Sequence, residues 1–215
     1  IEGVEGNMLE KYMELKKGGR GEIIEKKSRF IACVEKVETE EEAFALIEKV
    51  KKKNYDARHN CFAFSIGSEQ PILRFSDDGE PQGTAGKPIL EVIVGSNIKN
   101  ICIVVTRYFG GTLLGTGGLA RAYSEAAKIG ISTCEIVEKQ LGVTMNIKIG
   151  YTEVGKVQYI LKSKDINIIQ SIFEEQVDLI VLVPIEQRIQ VKELIIEATC
   201  GNVHIKESDE LYFEI

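Results

Sequence analysis

The sequence is poor in the residues on which many catalytic and metal centres depend. Among its 215 residues there is no tryptophan, and the only two histidines, His59 and His204, lie far apart in the chain. Neither of the hydrolase motifs HExxH and GxSxG occurs. Two distant histidines give little basis for a two-metal peptidase. A lone histidine such as His59 is more often a hydrogen-bonded edge residue than a general base.

Long apolar runs are also missing. The longest extends from Leu179 to Ile185 and contains Pro184, whereas a helix needs about 20 apolar residues to span a bilayer. This run fits a buried strand better. The first residues do not show the basic-then-apolar order of a secretory signal. We therefore expect neither a membrane span nor a membrane partner.

The cysteines do not form a metal-binding or redox pattern. No two of the five lie within four residues of one another, which excludes zinc-knuckle and CxxC spacings. An odd, scattered set of thiols without a secretion signal indicates a reducing compartment, so we expect a cytoplasmic protein. Cys102 lies in an apolar run and is expected in the core. The cysteines are at positions 33, 61, 102, 134 and 200.

Acidic charge is concentrated in the second half of the chain. Residues 1–134 carry 19 basic and 19 acidic side chains, whereas residues 135–215 carry 8 and 14, which accounts for the net charge of −6. Nucleic-acid binding needs a locally basic face, because release of counterions supplies most of the non-specific affinity. The second half is therefore a poor general nucleic-acid surface. The first half has enough basic residues for a basic stripe.

The sequence of the first half predicts an α+β domain over residues 20–134, preceded by an extension over residues 1–19. We expect a short helix in the extension, from Met8 to Leu15. A further helix is predicted to begin after Thr39, its N-cap, with Glu42 at the capping-box position. Lys51 to Lys53 would form the solvated last turn of this helix. The other predicted elements are strands in 21–37, 61–66, 72–75 and 101–105, and helices at 84–94 and 119–130.

The second half, residues 135–215, has its own order of elements. Apolar periodicity predicts strand, helix, strand, strand, helix, strand, which is the ferredoxin-like split βαβ arrangement. The predicted strands cover 143–149, 166–173, 179–183 and 212–215, and the predicted helices cover 152–162 and 187–199. The fold class is therefore α+β with two domains.

A glycine-rich turn follows the continuous β-branched strand Ile101–Val105 and precedes a helix. Glycine allows positive φ and a close approach of backbone amides to another molecule. At the start of a helix those amides favour an anion, and Arg107 and Arg121 flank the turn. The spacing is neither a Walker loop nor GxGxxG. The turn is therefore either an anion site or a tight structural turn. Its glycines are Gly110, Gly111, Gly115, Gly117 and Gly118.

An acidic loop places Asp77, Asp78 and Glu80 within four residues. Such carboxylates can hold a divalent cation. Caps of the next helix, or ion pairs with nearby arginines such as Arg74, are the more ordinary use, and we favour them. No cofactor is expected apart from a divalent metal as the alternative. Opposite charges on this loop and the glycine-rich turn suggest that the two form one cleft.

Four segments together resemble the YigZ/IMPACT family, and the match covers about 20–134. They are Lys27-Ser-Arg-Phe-Ile31, Arg58-His-Asn-Cys61, the stretch from Ser76 to Pro88, and the stretch from Val105 to Ser124. The tail resembles the extra C-terminal domain of bacterial members. The resemblance implies a left-handed βαβ domain like the fourth domain of elongation factor G, followed by a ferredoxin-like domain similar to its fifth. Eukaryotic members are translation regulators.

Three functions follow as hypotheses. The first is a binding protein whose cleft engages RNA, the ribosome or a translation factor, with arginines on phosphates and an aromatic ring on a base. The second is a metal-dependent enzyme acting on a small phosphorylated or peptide substrate. The third is an interaction module, monomeric or homodimeric, that uses its acidic tail. The binding role is favoured, and no catalytic residue is assigned. Its candidate residues are Arg74, Arg107, Tyr108, Arg121 and the five glycines, with His59, Thr84 and Lys87 as secondary candidates.

Overall fold

The structure is a computed structural model that describes residues 9–67 and 70–214. The chain divides after Glu138 into two compact units, a few residues beyond the boundary expected from the shift in charge. Within the described residues, none of the helices combines the length and the apolar character needed to cross a bilayer. Both units mix helices with a sheet, which confirms the α+β class. Met8, the first residue of the predicted N-terminal helix, and Ile215, the last residue of the predicted C-terminal strand, lie outside the described residues.

The first unit is built on a five-stranded antiparallel sheet with the order β2-β3-β7-β4-β5. The predicted strands of this half are all present. The strands are β1 (Lys11–Lys17), β2 (Gly19–Glu25), β3 (Ser28–Lys36), β4 (His59–Ile66), β5 (Ile72–Ser76), β6 (Ile98–Lys99) and β7 (Ile101–Tyr108). The helices are α1 (Glu40–Lys53), α2 (Gly86–Ser96) and α3 (Thr116–Ser132).

Strand β7 lies in the middle of this sheet and is covered on both faces. Ile101, Ile103 and Val105 pack with α2 and α3 on one face, and Cys102 and Val104 pack towards α1 on the other. Because both faces are buried, the strand is a continuous apolar run instead of an alternating one. This explains why its sequence predicted a central strand. Burial of Cys102 confirms its expected place in the core.

The start of α1 follows the predicted capping chemistry. The Thr39 side chain accepts a hydrogen bond from the Glu42 amide at 3.2 Å, and the Glu42 carboxylate accepts one from the Glu38 amide at 2.7 Å. These two bonds satisfy amides that the helix itself leaves without a partner. Thr39 is the N-cap, as predicted, whereas the Glu42 side chain bonds the Glu38 amide instead of the Thr39 amide that a capping box would use.

The predicted helix from Met8 to Leu15 is wrong. Lys11–Lys17 is strand β1, which pairs in parallel with β6 through Met13 and Ile98. The partner strand has only two residues and lies more than 80 positions away in the sequence. Local periodicity cannot detect such a pairing, because the non-local contact decides the conformation.

The second unit contains a four-stranded antiparallel sheet with the order β11-β8-β10-β9. The observed order of elements agrees with the predicted one, and alternate residues of β10, such as Val177 and Leu179, pack into the unit's core. The remaining elements are β8 (Glu135–Ile149), α4 (Val154–Ser163), β9 (Ile168–Phe173), β10 (Val177–Pro184), α5 (Arg188–Ala198) and β11 (Val203–Glu214).

Candidate anion and nucleic-acid interface

Four loops of the first unit meet at one end of its sheet, where β7 ends and β4 begins. We call these loops the rim. Gly110, just after β7, packs against the backbone of Lys27 in the β2–β3 hairpin and donates its amide to the Ser28 hydroxyl at 3.1 Å. Gly79 in the acidic loop lies beside the His59 ring at the start of β4. The rim consists of residues 25–28, 57–59, 77–83 and 109–118.

Asp77 holds the acidic loop onto the start of α2. Its Oδ1 accepts hydrogen bonds from the amides of Ala85 at 3.0 Å and Gly86 at 2.8 Å, and its Oδ2 accepts one from Gly83 at 2.8 Å. A carboxylate at a helix start also interacts favourably with the helix dipole. The interpretation of Asp77 as a helix cap is therefore confirmed. The adjacent Thr84 hydroxyl bonds the Pro81 carbonyl oxygen at 2.6 Å and is part of the same turn.

Replacing Asp77 with alanine should destabilise the first unit by about 1–2 kcal/mol, because three amides lose their acceptor. Chemical denaturation of the parent and the variant measures the difference. Asp209→Ala, a change at an exposed residue of the second unit, is the control and should shift stability by about 0.5 kcal/mol or less. Equal stability of Asp77→Ala and the parent would contradict the capping role.

Asp78 connects the acidic loop to α1 and β4. It accepts a hydrogen bond from the Asn60 amide at 2.7 Å and forms an ion pair with Lys51 at 3.2 Å. Its carbonyl oxygen lies 2.9 Å from His59 Nδ1. Lys51 is therefore not a solvated side chain of the last turn, which corrects the expectation for this lysine. The interpretation of His59 as a hydrogen-bonded edge residue is confirmed.

Glu80 is the buried centre of a polar network. Its Oε1 accepts from Arg107 Nη1 at 2.7 Å and from the Tyr123 hydroxyl at 2.8 Å. The Cys61 sulfur lies 3.3 Å from that hydroxyl. Burial raises the pKa of the Tyr123 phenol, and the acidic charge of Glu80 adds to the shift. Burial likewise raises the pKa of the Cys61 thiol, so both groups stay protonated at neutral pH.

Arg107 is a buried partner of this network and not a surface cation. Only 7% of its side chain is exposed, and its guanidinium carbon lies 5.5 Å from the Phe30 ring and 5.6 Å from the Phe109 ring. Two aromatic faces and one carboxylate therefore compensate its charge. Its Nε is buried without a hydrogen-bond partner.

The acidic loop is not arranged as a metal site. Asp77, Asp78 and Glu80 each accept bonds from different protein donors, so their oxygens do not face a common point. In residues 9–67 and 70–214 no group of three or more His, Cys, Asp and Glu side chains is placed to hold one ion. Of the two interpretations of this loop, the structure supports capping and ion pairing.

The glycine-rich turn has two parts with different surroundings. A Cβ atom at Gly110 would lie 2.0 Å from the Lys27 backbone, so this glycine is a packing requirement. Gly111 and Gly115 have φ of +84° and +73° and open space around them, and Gly117 would meet only the Arg121 side chain at 3.7 Å. Gly115 is the N-cap of helix α3, which has no side-chain cap and no acidic residue in its first turn. Its amide end is therefore exposed, and its first turn carries no carboxylate.

The structure does not bring all of the predicted site residues into one cleft. Arg74 is paired with Glu40 of α1 at 2.7 Å. Tyr108 donates towards Asp56 at 3.0 Å, just after α1. Arg107 faces α3 instead. Arg74 and Tyr108 therefore lie on the α1 face of the sheet, and the expected convergence of these side chains with Arg107 is corrected.

Arg121 lies in an open groove between α2 and α3 at the rim. The groove has a volume of about 640 Å³, and Lys26, Gly118 and Lys128 also line it, together with Glu25, Glu91 and Glu125. In the part of the chain that the structure describes, five exposed basic side chains at or beside the rim have no carboxylate oxygen within 4.0 Å. They are Lys26, Lys27, Arg58, Lys87 and Arg121.

Sequence reasoning missed Tyr123, Cys61 and Lys26 as members of the site. Tyr123 had a readable signal, because it falls on the stripe of small and apolar residues that α3 buries, and a buried tyrosine needs a hydrogen-bond partner. Cys61 and Lys26 had no comparable signal. The sequence does not show which loop a lysine in a two-residue hairpin will face.

The fold and the rim define a two-domain α+β protein whose first domain matches a known family. Residues 26–131 match the Impact N-terminal domain, and residues 147–202 match a domain of unknown function, DUF1949. IMPACT family member YvyE of Bacillus subtilis (strain 168) is 40% identical over 207 residues, which cover 96% of this chain and 95% of YvyE. The chain belongs to the IMPACT family, and its two domains are of the YigZ/YvyE kind.

Two solved structures are similar to this chain. A crystal structure described as that of a hypothetical protein is 32% identical, covers 92% of this chain and 97% of its own, and superposes with a TM-score of 0.61. Yih1, described as a two-domain translational regulator, is 26% identical and covers 62% of this chain and 49% of its own, with a TM-score of 0.37.

Proposed function

We propose that this protein binds RNA, in a translation-associated role, through the basic rim of its first domain. The proposal rests on a difference between the acidic and the basic side chains at or beside the rim. The carboxylates of the acidic loop are bonded to protein groups, whereas Lys26, Lys27, Arg58, Lys87 and Arg121 have no acidic partner among the described residues. Phosphate oxygens are the natural partners for such cations.

The exposed start of α3 supports the same proposal. Thr116 has a small side chain and Gly117 and Gly118 have none, and none of the three carries a negative charge. Their amides are therefore accessible to a phosphate. Arg121 stands one turn further along the helix, beside Gly117. A phosphate at this helix end would therefore meet both backbone amides and a guanidinium group.

Exposed apolar side chains on the rim provide surfaces for bases. Phe109 is 48% exposed and Leu113 is 83% exposed, and both lie in the turn between β7 and α3. An aromatic ring next to unpaired cations is typical of single-stranded RNA sites, since every base has a face that can stack. Phe109 therefore takes the stacking role that the sequence suggested for Tyr108.

We also propose a fold for each of the two domains. In the second domain, the strand order β11-β8-β10-β9 with antiparallel neighbours supports a ferredoxin-like fold. For the first domain, the family resemblance implies the left-handed βαβ fold of the fourth domain of elongation factor G. In that factor both domains act on RNA or the ribosome, although fold alone does not transfer function.

Binding of a single-stranded RNA oligonucleotide, measured by fluorescence anisotropy across a range of salt concentrations, tests the proposal. Affinity for the parent should fall steeply with salt, and Lys26→Glu combined with Arg121→Glu should weaken binding at least about tenfold. The variant should also reduce the slope of log affinity against log salt by about one per lost phosphate contact. Lys156→Glu combined with Lys162→Glu, at two exposed lysines of α4, makes the same change in net charge and is the control.

Weak binding that does not change with salt would overturn the proposal. So would an equal loss of affinity in the double α4 variant and in the rim variant, because net charge alone would then explain the effect. The metal-dependent enzyme is not supported to the same degree, because the carboxylates it requires are occupied as a helix cap and as ion-pair partners.

A further inference from the structure

A second basic pocket lies on the α1 face of the sheet, among residues that do not line the rim. It has a volume of about 360 Å³ and is formed where the start of β2 and the middle of β3 pass beside α1. Volumes of this order are typical of sites for small molecules. The residues that line it are Gly18, Gly19, Arg20, Cys33, Glu35, Leu46, Lys49, Val50 and Lys53.

Three cations from two separate elements meet at this pocket. Lys49 and Lys53 are four residues apart and therefore lie on the same side of α1, and Arg20 reaches the pocket from β2. Burial and the Glu35 carboxylate raise the pKa of the half-buried Cys33 thiol, and each of the three cations acts on the same thiol in the opposite direction. The Cys33 sulfur is therefore within electrostatic reach of every one of them.

Within the described residues these cations have no carboxylate partner. Glu22, the acidic neighbour of Arg20 on β2, forms a two-bond pair with Arg29 at 2.6 and 2.8 Å. Glu35 is the one acidic residue that lines the pocket, and its carboxylate lies against the Gly18 backbone. No oxygen of either glutamate lies within 4.0 Å of Arg20, Lys49 or Lys53.

The helix dipole does not account for this arrangement. Lysines at a helix C-terminus are favoured by a partial negative charge of about one half, which is smaller than the three positive charges gathered here. The dipole also gives no reason for Arg20, which belongs to a strand. Lys51 of the same helix end faces the other way and is neutralised by Asp78. The pocket therefore keeps an excess of positive charge.

The remaining lining of the pocket is apolar. Val50 belongs to the buried core cluster on the α1 face, and the half-buried Leu46 and Cys33 pack against that cluster. A ligand that fits such a lining carries an anionic group for the cations and an apolar or aromatic part for these side chains. Inorganic ions satisfy only the first requirement.

We propose that this pocket binds a small organic phosphate of the nucleoside monophosphate class. The phosphate contacts Arg20, Lys49 and Lys53, and the base lies on Leu46 and Val50. This site is separate from the RNA-binding rim, and it does not depend on the function proposed for the rim.

Isothermal titration calorimetry of the full chain with AMP, adenosine and pyrophosphate tests the site. AMP should bind more tightly than either of the others, because only AMP offers both parts. Lys49→Glu should weaken AMP binding at least about tenfold. Lys52→Glu makes the same charge change on an exposed neighbour outside the pocket, and it should leave the affinity within about twofold.

Alkylation of cysteines, followed by mass spectrometry, locates the ligand. AMP should slow the modification of Cys33 and leave that of Cys200, which is exposed in the second unit, unchanged. The proposal is overturned if the parent shows no AMP binding at millimolar concentration. It is also overturned if pyrophosphate binds as tightly as AMP, if Lys49→Glu and Lys52→Glu behave alike, or if AMP binds without slowing the alkylation of Cys33.

Discussion

Replacing Glu80 with alanine is expected to lower the free energy of unfolding of the first unit by about 3–5 kcal/mol. Glu80 and Arg107 are joined at 2.7 Å, and their side chains are only 4% and 7% exposed. Removing the carboxylate leaves a guanidinium group buried without its counter-charge, and the Tyr123 hydroxyl loses its acceptor. A surface ion pair would cost about 1 kcal/mol or less, so burial decides the size of this effect.

Chemical denaturation followed by circular dichroism measures the loss, and hydrogen exchange of peptides from β4 and β7 assigns it to the first unit. Glu125→Ala, at an exposed residue of α3, is the matched control and should change stability by about 0.5 kcal/mol or less. Adding Arg107→Met to Glu80→Ala should recover most of the loss, because the unpaired charge is then gone.

A loss below about 1 kcal/mol in Glu80→Ala would show that water reaches Arg107 and that the pair behaves as an exposed one. A double variant as unstable as the single one would show that shape, and not charge, sets the cost. Either result would contradict the assignment of Glu80 as the buried centre of the network.

Local sequence patterns predicted most elements of this fold because capping residues and apolar periodicity reflect the surroundings of each element. Thr39 and Glu42 fix the start of α1 through two short-range bonds, and the run from Ile101 to Val105 is apolar because both faces are buried. Strand β1 was missed because its pairing partners, such as Ile98 in β6, lie far away in the sequence. Capping and burial leave a local pattern in the sequence, whereas the identity of a distant strand partner does not.

The candidate site was predicted less well, for a reason that the sequence itself contains. Arg107 and Tyr108 are neighbours on one strand, so their side chains must point to opposite faces of the sheet. They could not both reach one cleft, and the structure directs them to Glu80 and Asp56 respectively. The two-residue period of strands therefore already separates Arg107 from Tyr108 at the level of the sequence. The partner of Arg107 was not readable, because several carboxylates lie within the acidic loop.

The second large effect is expected at Gly110. An alanine Cβ there would lie 2.0 Å from the Lys27 carbonyl carbon and 2.3 Å from the Ser28 amide. No real contact is this short, and both neighbours are backbone, so the hairpin or the turn has to move. We expect a loss of about 3 kcal/mol, near the upper end for overpacking.

Gly117→Ala is the matched control for this loss. The added Cβ would have only the flexible Arg121 side chain within 4 Å, and alanine is the better helix former by about 1 kcal/mol. Gly117→Ala should therefore be as stable as the parent or more stable. Thermal or chemical unfolding of the two variants checks the pair, and similar losses at both positions would contradict the packing difference described for the turn.

The same pair of glycines separates the two interpretations of the turn. Gly110 is required by packing alone, whereas no packing contact in the described structure requires Gly117, which lies at an exposed helix start beside Arg121. If a phosphate approaches these amides, a methyl group at position 117 hinders it without unfolding the domain. Gly117→Ala should then bind RNA several-fold more weakly than the parent at equal or higher stability. Unchanged RNA affinity would place the contact elsewhere on the rim, on Lys26 and Arg121 without the helix amides.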